Sequence, residues 1–484
     1  MKKTKTAAFL FAVFFVLALA ACSPGGKISD NSKNPAELDA EDAARPYYDI
    51  LGARDFYGDT FTVLDSNPIP HLFMNFPEEG EINGEPINDA LYLRDSFIEE
   101  KYGVNIEYIK ITNGNGRAVL EKSVRAGEDK YDLIVSPLIG PALDSLSTGN
   151  VLSNLIDAPY LSLQSPWWSK MIYDNMQFND RLYYMGGDIF VTSYSLAPAA
   201  MVFNKKLVQD HGIKENLYEL VFEGKWTLDV VARLVKDTDM DLNQDGKMLI
   251  GDDFYGFVCL RDRTNTLLWL AGLGVKFSTV EEDMIKVELT SPENLDKIDK
   301  LAGIMTPIEY GGLAGYGIDR PFKENRAIFV SHALEMPRMY LRDMEDDYGI
   351  LPMPKYDEKQ ESYISALNPW VSGFVAIPMN ADVDKSAFLM EAMGYAGYEM
   401  LRPAVYDITL KAKGARDEES ERIIDIILET AYLDINYIYN FGGTCDILND
   451  TIMNKKPLVS AYEKKETAMQ KEIAKFIEAM SQND

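Results

Sequence analysis

Histidine and cysteine are nearly missing from this chain of 484 residues, with three of each. His71, His211 and His332 stand in unrelated contexts, and no Gly-x-Ser-x-Gly elbow, His-Glu-x-x-His pair or phosphate loop occurs, so the recognisable routes to hydrolase and nucleotide chemistry have little to stand on. Apart from Cys22 only Cys259 and Cys445 remain, which permits at most one disulfide and no metal knuckle. Basic residues are few against acidic ones, 48 to 76, and the net charge of −28 argues against nucleic acid or anionic lipid as a partner. Internal repeats and low-complexity tracts are absent. Without repeats or staples, a chain that is 46% hydrophobic must be held by large cores, enough for two or three domains.

A long apolar run is also lacking. The stretch from Ala7 to Ala20 is about 14 residues, whereas crossing a bilayer takes roughly 20. It follows Lys2, Lys3 and Lys5 and ends in Leu19-Ala20-Ala21-Cys22. Residues 1–21 therefore read as a signal peptide and not as a spanning helix. The small residues before Cys22 resemble the lipobox of bacterial lipoproteins, in which the cysteine thiol receives a diacylglycerol and becomes the new N-terminus. Two or more acyl chains, at about 0.8 kcal/mol per buried CH₂, make such a tether essentially permanent. Residues 22–54 then form a lipidated N-terminus and linker whose first part is rich in Ser, Pro, Gly, Asn and Asp, too polar to fold alone.

Beyond the linker, helical patterns alternate with short apolar runs. Leu91, Leu93, Phe97 and Ile98 are spaced as on a helix that breaks at Tyr102-Gly103, and Val104 to Ile111 follows as a strand. Leu133-Ile134-Val135, closed by Ser136-Pro137, reads as a buried parallel strand, with further strands at Ala199 to Phe203 and Gly373 to Pro378. This rhythm predicts an α/β architecture. The tail from Asp417 differs, predicting a helix behind an acidic first turn and a charged final helix.

Several segments together resemble the extracellular solute-binding proteins, family 1, of bacterial ABC importers. They are Ala126-Gly-Glu-Asp-Lys-Tyr-Asp-Leu-Ile134, Pro166-Trp-Trp168, Gly224-Lys-Trp-Thr-Leu-Asp229, Asp252-Asp-Phe-Tyr-Gly-Phe257 and Tyr348-Gly-Ile-Leu-Pro-Met-Pro-Lys-Tyr-Asp-Glu358. The resemblance runs through most of the mature chain. It implies an α/β, two-lobed periplasmic-binding-protein-like (type II) fold with hinge-crossing strands and a helical C-terminal tail. Lobe 1 would hold 55–190 plus 370–415, and lobe 2 would hold 195–365 plus 416–484. It further implies a carbohydrate ligand in the cleft, permease transmembrane subunits as partners, and a place on the extracytoplasmic face of the cell membrane.

Within that frame Trp269 and Trp370 are the expected ligand-stacking residues, because sugar rings present apolar C–H faces to aromatic rings. Asp188 and Tyr194, near the first expected crossing, could supply a carboxylate and a phenol. Arg338, with Arg261, Arg263 and Arg320, would suit a carboxylated sugar through paired donors. Trp226, Trp167 and Trp168 read as packing, and Thr227 as the cap of the helix beginning at Leu228. The segment from Asp241 to Asp252 places oxygen donors at Asp241, Asn243, Asp245 and Asp252, a glycine at 246, and the carbonyl of Lys247 at the seventh position. That is the calcium-loop pattern. Asp252 replaces the usual Glu and Leu249 offers no side-chain ligand, so a structural Ca²⁺ is expected, not a signalling one.

With 76 acidic residues, a secreted, lipid-anchored glycoside hydrolase or lyase remains the enzyme alternative. A dockerin-like scaffold role fits less well, since the calcium pattern occurs once within a large body. Replacing Cys22 with Ser is expected to abolish incorporation of a labelled fatty acid and to move the protein from the membrane to the soluble fraction on cell fractionation.

Overall fold

The structure is a computed structural model that describes residues 47–481 except 68–74, 78–80, 113, 139–142, 192–195, 282–283 and 306–316. The signal peptide, Cys22, nearly all of the linker, His71 and Tyr194 lie outside the described residues.

Two four-stranded sheets organise the chain. In the first, the order is Phe374–Ala376, Leu133–Ser136, Asp59–Asp65, Val104–Lys110. The last three are parallel, and Phe374–Ala376 runs against Leu133–Ser136 with Val375 opposite Val135. All four residues of Leu133–Ser136 are buried, as a strand covered on both faces requires. The helix Pro86–Tyr102 feeds its edge strand. Gly103 closes that helix at φ 59°, a left-handed turn suited to glycine.

In the second sheet the order is Tyr255–Val258, Ala327–Ala333, Ala199–Asn204, Tyr348–Pro352. Tyr255–Val258 and Ala327–Ala333 are parallel, while Ala199–Asn204 runs antiparallel to both of its neighbours. Trp226 packs beneath this sheet, fully buried, and its indole Nε1 donates to the carbonyl of Pro352 at 3.0 Å. Thr227 does occupy the N-cap of Leu228–Val235, but its hydroxyl makes no capping bond there. The backbone N–H of Leu228 is instead taken by the carbonyl of Lys355 at 2.8 Å.

The chain passes between the sheets at Leu196–Pro198, returns through residues 367–372, and passes over again through the π-helical segment Ala404–Gly414. The first two crossings lie side by side, with Pro198 and Leu367 bridged antiparallel. Beyond the third, Asp417 caps the helix Glu418–Glu429 by accepting from Ser420 N at 2.6 Å. Ser420 Oγ in turn accepts from Ile350 N, which fastens that helix to the second sheet. The final helix, Leu458–Ala479, reaches both bodies: Tyr462 donates to the carbonyl of Val287, and Phe476 packs on Phe178. Among the described residues no helix is long and apolar enough to cross a membrane.

On the first body, Trp167 and Trp168 are buried and converge on one carboxylate. Glu391, within the helix Val383–Pro403, accepts from both indole Nε1 atoms at 3.2 and 2.9 Å, from Tyr47 OH at 3.0 Å and from Ser162 N at 3.2 Å. Gly394, one turn further on, leaves room for the Trp168 ring, which a Cβ would approach to 2.9 Å. Burial pushes the Glu391 carboxyl up to about 7 against the pull of its four donors. The folded state thus holds this proton more tightly than the unfolded chain. The stabilisation is complete below about pH 4.5 and is lost as the pH climbs to about 7. Glu391→Ala should lower stability by on the order of 3 kcal/mol by leaving buried N–H donors unpaired. Glu391→Gln, which cannot titrate, should flatten the dependence of unfolding midpoint on pH across that window, as followed by thermal denaturation.

Candidate ligand-binding site

In open α/β sheets, ligands gather outside the carboxyl ends of the strands. In the second sheet those ends are the residues after Val258 and Ala333, and they bound a cleft of about 540 Å³. That volume lies within the roughly 300–1,000 Å³ of small-molecule sites. Asp262, Arg263 and Asn265 come from one strand end, His332 and Glu335 from the other, and Trp370 from the second crossing.

The crossing itself sets this arrangement. Glu335 N donates to the carbonyl of Leu196 at 3.0 Å, Leu334 N to Pro198 at 2.9 Å, and Asn368 N to Ala197 at 2.9 Å. The side chain of Asn368 then accepts from Trp370 N at 3.1 Å and holds the turn that presents the indole. Trp370 is 38% exposed, unlike the other four tryptophans.

Beneath the cleft lies a second layer. Trp269, expected to stack on ligand, is only 1% exposed. Its Nε1 donates to Ser331 Oγ at 3.1 Å and its ring meets Phe257 edge-on at 5.3 Å. The helix Arg263–Gly272 is buried on nearly every side, so its tryptophan has no free face. It supports the floor instead of touching what lies on it.

The floor is polar and largely uncharged. The Glu335 side chain is fully buried, neither oxygen has a hydrogen-bond partner among the described residues, and burial pushes its carboxyl up to about 8. His332 Nδ1 lies 3.6 Å from Glu335 Oε1 and also lacks a hydrogen-bond partner, while burial pulls the imidazole down to about 4. Burial thus favours the uncharged form of both groups. A buried polar atom without a partner costs about 1–3 kcal/mol, a cost that a ligand's hydroxyl can remove.

In the first body, Asp65, Ser66 and Ser136 lie at the carboxyl ends of two parallel strands with Asn75 bonded to Asp65, and all four are buried. Asn75 Nδ2 donates to Asp65 at 3.2 Å, and Ser66 Oγ and Ser136 Oγ find no hydrogen-bond partner among the described residues. Burial pushes Asp65 up to about 6. The first body meets the second crossing where Leu138 N donates to the carbonyl of Pro369 at 3.2 Å. The field of Arg263 reaches Asp144 of the first body, whose carboxyl burial nevertheless pushes up to about 6.

Other expected residues lie elsewhere. Asp188 is buried at a separate cavity of about 250 Å³, 3.6 Å from Arg402. Arg338 follows Glu335 on the helix Met336–Tyr340 and also feels Glu85 of the first body, with burial pulling its guanidinium down. Arg263 pairs with Asp446 at 3.0 Å, Arg320 with Glu324 at 2.8 Å, and Arg261 donates to the carbonyl of Met453 at 2.7 Å. The arginine set anticipated for a carboxylated sugar is thus not gathered in the cleft. A larger cavity of about 720 Å³ separates residues 174–180 from 274–280 and 432–435. Of the three acidic residues lining it, Asp434 already accepts from Ser278, Tyr432, Asn436 and Tyr437, and Asp174 pairs with Lys170.

Glu335 and His332 escaped the sequence reading. The signal was available in principle, a histidine and a glutamate three apart behind an apolar strand, but nothing local distinguishes them from an ordinary surface pair.

The turn at 241–252 is held by short-range hydrogen bonds to its own side chains. Gly246 N donates to Asp241 Oδ2, Asp245 N to Asn243, and Lys247 N to Asp245, with Gly246 at φ 79°. Asp241 Oδ1 has no hydrogen-bond partner among the described residues. The loop is also braced by Asp253, which accepts from Leu242 N and Leu249 N. Among the described residues no three His, Cys, Asp or Glu side chains gather as metal ligands.

No family model matches the sequence. No curated protein matches it either. Solved structures do. A substrate-binding protein of an ABC transporter from Listeria monocytogenes in complex with cycloalternan superposes with a TM-score of 0.55 at 13% identity, covering 88% of this chain and all of that one. A cyclo/maltodextrin-binding protein complexed with maltotetraose gives 0.56 at 14%, covering 87% and 96%. The maltose-binding periplasmic protein of Listeria monocytogenes in complex with maltose gives 0.54 at 14%, covering 86% and 98%. The protein therefore has the two-lobed periplasmic-binding-protein-like fold, with each sheet the core of one lobe.

Of the five tryptophans only Trp370 is open to solvent. Acrylamide should quench one component of the intrinsic fluorescence, and Trp370→Phe should remove that component while leaving the remainder protected.

Proposed function

We propose that the protein is the substrate-binding lipoprotein of an ABC importer, capturing an oligosaccharide or other carbohydrate between its lobes and delivering it to the membrane permease. The observation that carries this reading is the cleft at the crossing, where an exposed indole stands beside buried polar groups that lack hydrogen-bond partners among the described residues. An apolar face next to hydrogen-bonding edges matches a sugar ring. Three proteins of the same fold are named for, or bound to, cycloalternan, maltotetraose and maltose, which favours the same ligand class here.

The hydrolase alternative needs two carboxyl groups free to flank one glycosidic bond. In this cleft Asp262 is occupied in capping Asn265 N at 2.7 Å, and Asp446 in pairing with Arg263. The protein is read as a binder that returns its ligand unchanged.

Ligand bridging the lobes would favour the closed arrangement through its greater affinity for it, and the permease would read closure. Diacylglycerol on Cys22 would keep this receptor on the extracytoplasmic face of the membrane, near its importer. A calcium ion at 241–252 would draw on Asp241, Asn243, Asp245, the carbonyl of Lys247 and Asp252, and would brace the turn. The unpartnered oxygen of Asp241 and the tight turn at Gly246 support that assignment.

Thermal shift against an oligosaccharide panel, with and without a calcium chelator, tests these readings together. Ligand at about 100 times its dissociation constant should add roughly 2.7 kcal/mol, and X-ray scattering should show a smaller radius of gyration with the same ligand. An unchanged radius at saturation would contradict closure, and indifference to the chelator would remove the calcium.

A further inference from the structure

The cleft beside Trp370 also carries information about the charge of what it accepts. Resting on the importer reading, we propose that this pocket selects an uncharged, polyhydroxylated ring, with Glu335 and His332 as the specificity-determining pair that grips its hydroxyls while the ring lies against Trp370.

Three classes of ring can be weighed against the groups present. A uronate would need a free cation, but Arg263 is already paired with Asp446. An amino sugar would need a free charged carboxylate, but Asp446 is held by Arg263, Asp262 caps the next helix by accepting from Asn265 N, and burial raises the Glu335 carboxyl despite the favourable field of Arg338. A hydroxyl both donates and accepts, so it can satisfy a neutral carboxyl and a neutral imidazole in any combination. The buried cleft atoms without hydrogen-bond partners among the described residues are of that kind: both Glu335 oxygens and His332 Nδ1.

Geometry supports the same pairing of ring face and ring edge. The Tyr340 ring stands edge-on to the His332 imidazole at 5.8 Å and backs it. Glu335 is tied to Leu196 and Trp370, through Asn368, to Ala197, so both sides of the socket hang from one crossing segment. A ring held between them would therefore press directly on the hinge.

The groups that face Glu335 are His332 on the preceding strand, Arg338 on its own helix, and Asp262, Arg263 and Asp446 across the cleft; Arg342, Tyr340 and Glu85 act on Arg338. Because the binding form carries the Glu335 proton, affinity for a neutral sugar should fall as the pH rises through about 8.

Titration calorimetry on the full mature chain decides the matter, using maltotetraose, cellotetraose and xylotetraose as neutral probes, trigalacturonate as the anionic one and chitotriosamine as the cationic one. The expected result is binding of a neutral probe that weakens about tenfold or more in Glu335→Ala. Glu335→Gln should retain the affinity and abolish its fall between pH 7 and 9, a rescue that a merely structural role would not produce. A neutral sugar bound equally well by Glu335→Ala, or a charged trimer bound more tightly than every neutral probe, would overturn the proposal and leave the importer reading intact. Silence of all five probes would overturn the carbohydrate reading and this proposal with it.

Discussion

Three backbone carbonyls in the first crossing, those of Leu196, Ala197 and Pro198, hold the functional half of this molecule in register. They accept from Glu335, Asn368 and Leu334, one contact to the second crossing and two to the end of a central strand. A peptide group buried between two lobes must find a partner. Here the partners are the residues that shape the cleft, so hinge and pocket share one set of hydrogen bonds. A change in the angle between the lobes cannot leave the cleft untouched.

The same economy appears in how polar groups are distributed. Several carboxylates in the two bodies are heavily satisfied: buried Glu391 by four donors, buried Asp434 by several, and half-buried Asp417 by Lys205, Tyr218 and Ser420. These groups fix tryptophans, turns and helix starts. Glu335 differs: it is fully buried, neither side-chain oxygen has a hydrogen-bond partner among the described residues, and it lines the same cleft as the exposed indole. Among the described residues a buried carboxyl with neither oxygen hydrogen-bonded, beside an open aromatic face, marks a place suited to a ligand.

Local pattern carried much of the architecture. The strand at 133–136 was legible as an unbroken apolar run, the end of the helix at Tyr102 from its following glycine, and the helix from Glu418 from its acidic first turn. Packing roles for Trp226, Trp167 and Trp168 followed from their settings and hold in the structure. Trp269 and Trp370 looked alike from sequence, each aromatic beside a turn or helix end. One is enclosed and one is open because the helix Arg263–Gly272 is covered on nearly all sides, whereas Trp370 sits on a turn at the crossing. Neither fact resides in the neighbours along the chain.

By itself, then, the sequence determined the α/β alternation and the resemblance that implied two lobes, and it raised the expectation of an export-type leader ending at Cys22, because each depends on periodicity or on residues close together in the chain. Only the tertiary structure decided which tryptophan faces the cleft, that the arginines pair elsewhere, and that His332, Glu335 and Trp370 share one pocket. Those outcomes depend on contacts between segments far apart in sequence, such as Glu335 with Leu196 and Asn368 with Ala197. A hydrogen bond across such separations is set by how the sheets pack and cross, and no local pattern records it.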